Sequence, residues 1–375
     1  MSWNKIYNQT GIKELLQKAI LENRISSSYI FYGKEGIGKV GTAIEFAKTT
    51  NCMQPLLVSQ SQISACDECI NCKQFEGFKS NNIIFVYPSP VKENNAGVGV
   101  LKEEEMLHFQ NEFKAKSEDY YHKIDYLDSK LIKVVSIRDV KKKLSLSHSN
   151  KYRKFLIILE ADKFNTEASN AFLKTLEEPS ENTTIICVTS RFDMLLPTII
   201  SRCQALHFKD LESNFVGDYL EKVQGIDSNY SKIIANLSDG SITKALDFID
   251  EDFMEFRNNM IEALRCLLRQ RNYRVELIQR IDEIAKLPYY KLMIFLDLIV
   301  LWFSDAYKLK YSGIEEGLKF QDKLEVLKVF STKFKVENVA SIIEQVETAQ
   351  RRINRNVAAN VSLTTMYLKI RELLL

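Results

Sequence analysis

The apolar run Tyr29-Ile30-Phe31-Tyr32 leads directly into Gly33-Lys34-Glu35-Gly36-Ile37-Gly38-Lys39-Val40, and a helix-like stretch follows over 39–50. A Gly-x4-Gly-Lys string set between a strand and the helix it opens predicts a phosphate-binding loop. Gly33, Gly36 and Gly38 let backbone N–H groups converge on an anion, and Lys39 adds a point charge. Few other features limit a fold so tightly, because this loop belongs on a mainly parallel sheet with crossover helices.

The position after Lys39 should carry a hydroxyl to ligate Mg²⁺, yet here it is Val40. The second half of such a site is a strand ending in an acidic pair, one carboxylate holding the metal and the next polarising the attacking water. Phe155-Leu156-Ile157-Ile158-Leu159-Glu160 is the candidate strand, with Leu159 at the metal-holding position and Glu160 beside it. Two aliphatic side chains cannot supply the oxygens of a hard cation. No Mg²⁺ site and no intrinsic hydrolysis are therefore expected. ATP binding is doubtful, although the loop backbone and Lys39 could still hold nucleotide weakly.

Further strand-like runs at 83–87 and 184–189 and helix-like stretches at 166–178 and 193–201 make the first half α/β. The polar, charged stretch from Pro88 to about Lys130 reads as a surface excursion with a helix over 102–116 and no chemistry. After Phe208 apolar residues recur three and four apart, as at Phe253, Phe256, Met260, Leu264 and Leu267, then Leu292, Phe295, Leu298 and Leu301. The second half is thus predicted helical. Trp302, Phe303 and Tyr307 read as core, and Asp239-Gly240-Ser241 as a joint between helices. At 375 residues the chain is long enough for two or three domains.

Cys66-Asp67-Glu68-Cys69-Ile70-Asn71-Cys72, with Cys52 just after the loop helix, gives four thiols at short spacings. That pattern fits a tetrahedral structural Zn²⁺ site; free thiols in a surface loop and a redox role are the alternatives. Cys187, Cys203 and Cys266 read as packing residues, and His108, His122, His148 and His207 form no metal-like pair. The opening residues lack the basic-then-apolar pattern of a signal peptide, so a reducing cytoplasm is expected. No run is long and apolar enough for a membrane span. With 51 Lys plus Arg against 49 acidic residues, no global basic field marks a nucleic-acid binder.

Asn170-Ala171-Phe172-Leu173-Lys174 with Thr175 through Pro179, the strand 185–190, and Leu196-Pro197-Thr198-Ile199-Ile200-Ser201-Arg202-Cys203 resemble, in order and spacing, the core of clamp-loader AAA+ subunits. Segment 3–39, with Asn8-Gln9 where Gly-Gln is usual, resembles that family as well. So do 132–138 and 354–375.

The resemblance implies an AAA+ P-loop domain over 1–208 with an inserted zinc module near 52–72. A small helical lid over 209–252 and an all-α collar over 253–375 would follow. Within the family, the degenerate loop is similar to members that do not hydrolyse ATP. Gly240-Ser241-Ile242-Thr243 has Thr243 where a hydrolysing relative has an arginine.

Arg202, between Ser201 and Cys203, is then implied to act in trans on the nucleotide of a neighbouring subunit. The implied partners are gamma/tau and delta subunits in a hetero-pentamer, a sliding clamp, and primed DNA reached through the complex. An ATP-hydrolysing gamma/tau-type motor is the second reading, and a free-standing DNA-binding or zinc adaptor protein the third.

Overall fold

A computed structural model describes residues 2–59, 61–93, 99–127, 129–145, 152–249, 253–269 and 273–375. The chain divides into two compact units, one of residues 1–215 with 241–243, the other of 216–240 with 244–375.

The first unit is built on a five-stranded sheet: β1 (Ser28–Tyr32), β2 (Ile83–Val86), β3 (Lys154–Ile158), β4 (Thr183–Thr189) and β5 (Gln204–His207), in the order β2-β3-β4-β1-β5. Every pairing is parallel. All residues of β3 and β4 are buried, as continuous β-branched and aliphatic runs require when helices cover both faces. Below the sheet, Phe172, Leu176, Ile137, Leu144 and Ile199 pack against Ile30, Leu156, Ile158 and Ile185.

Helix Lys39–Thr50 leaves β1 at the expected residue, and helix Thr166–Glu177 is capped by the Asn165 side chain accepting from the Ala168 N–H. The helix expected over 193–201 is divided. A short 3₁₀ turn covers Phe192–Met194, and a single α-turn covers Pro197–Ile200. Pro197 has no N–H to continue a helix begun earlier and instead starts a new one. The excursion after Pro88 contains helix Glu103–Glu118, and its residues 94–98 and 128 lie outside the described residues.

The second unit is all helical among its described residues, the longest helix being Tyr289–Ser312. Met260, Leu264, Leu267, Phe295, Leu298, Trp302 and Phe303 are buried as their spacing predicts. Tyr307 is 40% exposed and does not belong to the core. Arg257, one residue from the apolar stripe, is fully buried and forks onto the Asp322 carboxylate. A two-pronged charge-assisted bond of this kind is what lets a guanidinium stay out of water. Helix Ala359–Leu374 closes the unit through Leu363, Tyr367 and Ile370.

Candidate functional site: a closed phosphate loop and an exposed arginine

Residues 33–38 leave the carboxyl end of β1 and turn into helix Lys39–Thr50 through Gly38, which is in the left-handed region at φ 98°. Gly36, at φ 74°, lies so close to residues 241–243 of the same unit that a Cβ there would meet the Thr243 N–H at 2.6 Å. The Gly36 carbonyl accepts from Ile242 N at 3.0 Å. Gln9, buried and in a left-handed conformation, donates to Ile37 O and Lys209 O at 3.2 and 2.6 Å, fastening the amino-terminal segment to the loop.

The Lys39 ammonium is turned back onto its own loop. It donates to the carbonyls of Gly33 (2.6 Å) and Lys34 and is only 5% exposed. Burial brings its pKa down to about 8 against the attraction of Glu160, Glu35 and Asp162. Val40 and Leu159 line the same cavity, Leu159 being 2% exposed just beyond the end of β3, where its N–H bonds Val86 O at 2.8 Å. Glu160 is held above the usual carboxylate range by burial and lies 3.7 Å from Lys163. Asp162 accepts from the Thr189 hydroxyl at 2.6 Å. Val40 and Leu159 thus present aliphatic carbons to the loop cavity, and such side chains offer no oxygen to a hard cation.

One feature was unread in the sequence. The stretch after Pro88, expected to be a surface excursion, instead supplies Lys116, Tyr120, Tyr121, His122 and Tyr126 to the lining of the loop cavity. His122 also pairs with Glu112 at 3.0 Å. His108 bonds Asp125 O, His207 stacks on Tyr32, and His148 lies outside the described residues.

The four thiols of Cys52, Cys66, Cys69 and Cys72 lie within 4.8 Å of one another. Their sulfurs stand 3.4 Å (52 to 66), 4.0 Å (52 to 69) and 3.9 Å (66 to 72) apart. A tetrahedron of thiolates at the usual Zn–S length has edges of about 3.8 Å, so the donor set fits that ion. Backbone N–H groups of Cys66 and Cys69 donate to the sulfurs of Cys52 and Cys66 at 3.3 Å, favouring thiolates. Burial pushes the Cys72 thiol up, whereas Cys69 falls to about 6, backbone and thiol hydrogen bonds outweighing its burial.

The cluster is tied to the sheet by Asn51, whose side chain spans to the Arg153 backbone with two bonds of 2.8 Å. Asp67 pairs with the buried Lys48 at 2.7 Å.

Arg202 follows the Pro197–Ile200 turn and precedes the edge strand β5. Its side chain is 37% exposed, donating to Thr198 O at 3.0 Å and to Glu177 at 2.9 Å. An ion pair this open is worth on the order of 0.5 kcal/mol and yields easily to another partner. Cys203 packs against the sheet core, burial raising its thiol to about 12. Because Tyr29 pairs with Gln204, Arg202 lies at the amino end of the β1/β5 pair and the loop at its carboxyl end. The four paired residues Tyr29–Tyr32 lie between them, about 13 Å of extended chain.

The model of the family described as "DNA polymerase III, delta subunit" matches residues 8–212, and that of its C-terminal part matches 251–370. The chain belongs to the DNA polymerase III delta-subunit family. This delta-family chain is 25% identical over 378 residues to DNA polymerase III subunit delta′ of Bacillus subtilis (strain 168), covering 99% of both chains. It is 28% identical over 268 residues to subunit tau of the same organism, a match of 70% of this chain and 39% of tau. A gamma-subunit-related protein of known structure from Thermotoga maritima aligns over 96% of this chain at 15% identity and a TM-score of 0.36, too loose to superpose site residues.

The clamp-loader resemblance read from the motifs therefore holds along the delta-family chain from end to end. No helix among the described residues is long and apolar enough to cross a membrane.

Proposed function

We propose that this chain is a non-hydrolysing, delta′-type subunit of the DNA polymerase III clamp loader. In this reading it joins gamma/tau and delta subunits and helps load the sliding clamp onto primed DNA during replication. The carrying observation is a separation. The chain's own loop lacks both metal ligands, and Arg202 lies at the opposite end of the β1/β5 pair from that loop. An arginine there cannot serve the loop of its own subunit, whereas its loose hold by Glu177 leaves it free for a neighbour's γ-phosphate. Ser201 and Cys203 position it, the first ending the helical turn and the second anchoring the chain to the core.

The four cysteines, in the same reading, hold a structural Zn²⁺ that staples residues 52–72, a stretch whose hairpin strand Leu56–Ser59 is exposed throughout. Purified chain should carry one zinc per molecule, and Cys69→Ser should lose it. A freshly reduced preparation without zinc would refute the assignment.

Likeness to the tau subunit favours a hydrolysing motor as the second reading. Against it stand Val40, Leu159 and Thr243, the last buried and donating to Tyr121 O at 3.2 Å rather than offering a cation. The experiment is reconstitution with gamma/tau and delta. Arg202→Ala should assemble normally and depress DNA- and clamp-stimulated ATPase by about 10-fold or more. Unchanged turnover would defeat the in-trans role.

A further inference from the structure

The cavity over the phosphate loop measures about 190 Å³. Pockets that take ligands of drug or cofactor size usually measure about 300–1,000 Å³. What fills the difference is the chain itself. Tyr120 and Tyr121 are 8% and 2% exposed, and both press on the loop and its helix. A Cβ at Gly38 would stand 3.2 Å from the Tyr121 hydroxyl, and one at Gly41 would meet Tyr120 at 2.8 Å, so these glycines admit the two rings.

The pair is anchored on three sides. Tyr7 N donates to the Tyr121 hydroxyl at 2.9 Å, Thr243 donates to the Tyr121 carbonyl, and the Tyr120 hydroxyl donates to the buried Glu45. Glu45 in turn pairs with Lys48 at 3.1 Å, which also holds Asp67 of the cysteine module.

A cation accompanies the rings. Lys116, 8% exposed, lines the same cavity as Val40, Leu159 and Glu160 and donates to the His122 carbonyl at 2.6 Å. Burial lowers its pKa to about 8, opposed by the attraction of Asp119, Glu35 and Glu160. An ammonium therefore sits in the cavity where the aliphatic pair leaves no place for a divalent ion. Lys39, meanwhile, is already satisfied by loop carbonyls.

We propose that residues 116–126 are a built-in plug that occupies this chain's own nucleotide site, Tyr120 and Tyr121 filling its space and Lys116 taking the metal's electrostatic place. On this account the loop is a socket for an internal segment. It keeps its glycines because the rings and residues 241–243 need the room. The inference rests on the absence of hydrolysis and is independent of whether Arg202 acts in trans.

The test is equilibrium binding of labelled ADP and ATPγS, with Mg²⁺, to the full chain. Wild type should show no saturable binding up to millimolar nucleotide. Tyr120→Ala/Tyr121→Ala, if folded by circular dichroism and melting, should bind at least 10-fold more tightly than wild type. Micromolar binding by wild type, or a folded variant no better than wild type, would overturn the plug.

Should the double variant not fold, hydrogen exchange of wild type with and without millimolar ATP decides. Unchanged exchange over 36–42 and 116–126 supports the plug. Protection of 36–42 together with release of 116–126 overturns it. Nucleotide binding without turnover would sink this inference alone, whereas magnesium-dependent turnover would also sink the proposed function.

Discussion

The two ends of the sheet in the first unit have been treated in opposite ways. At the carboxyl end, three side chains around the loop are already committed: Lys39 to carbonyls, Thr243 to the Tyr121 carbonyl, and Tyr120 to Glu45. At the amino end, Arg202 is solvent-exposed and held by a weak ion pair to Glu177, the Thr198 carbonyl and a long contact to the Ser201 hydroxyl. On the proposed reading, the contrast teaches that a fold can keep the shape of a phosphate site as a packing element while the cation it offers to a neighbour lies elsewhere. Burial with full satisfaction builds structure, and exposure with loose partners leaves a group available to others.

The sharpest way to break the comparison is to remove one cation from each end and compare turnover in the reconstituted complex. Arg202→Ala should lower stimulated ATPase by about 10-fold or more, while Lys39→Met should leave it within about twofold. A large loss from Lys39→Met would mean that the closed end takes part in hydrolysis after all.

The next effect is on stability. Lys116 has a folded pKa near 8, below the usual lysine value. Between about pH 8 and 10 the unfolded chain therefore binds the extra proton, and unfolding free energy rises with pH on this group's account. Cys187 and Cys203, with pKa values raised by burial, act in the opposite direction. The informative quantity is accordingly the difference between wild type and Lys116→Met. In urea melts wild type should gain on the variant by about 1–3 kcal/mol from pH 8 to pH 10. No change in that difference would mean that Lys116 is not held as a buried cation.

Smallest should be Glu177→Gln, which frees Arg202. Stability of the isolated chain should shift by less than about 1 kcal/mol, with turnover of the complex equal to wild type or modestly higher. A marked loss of turnover would show that Glu177 aims the arginine rather than merely parking it.

Much of this architecture is legible in the sequence. The start of helix Lys39–Thr50, the buried runs of β3 and β4, and the aliphatic pair Val40 and Leu159 each follow from a local signal: a glycine loop, a β-branched run, a residue type at a fixed offset. The close grouping of the four thiols likewise follows from Cys-x2-Cys-x2-Cys spacing, with Cys52 supplied just after the preceding helix.

What escaped lacked such a signal. Strand β5 buries only Leu206 of its four residues, so it shows no apolar run, and the parallel neighbour β1 alone defines it. The Tyr120–Tyr121 contact joins residues some eighty positions from the loop, and tyrosines in a polar stretch read as surface. Only the glycines at 38 and 41 hinted that something bulky approaches there. Arg257 was invisible for a similar reason, because its partner Asp322 is 65 residues away.

The central claim is that this chain turns over no ATP alone and contributes through its neighbours. The most direct measurement is magnesium-dependent ATP hydrolysis by the purified chain, run beside the same chain mixed with gamma/tau and delta subunits, clamp and primed DNA. The account predicts no turnover above background from the pure chain, and turnover in the mixture that falls when the chain is omitted. Sustained magnesium-dependent hydrolysis by the pure chain would contradict it.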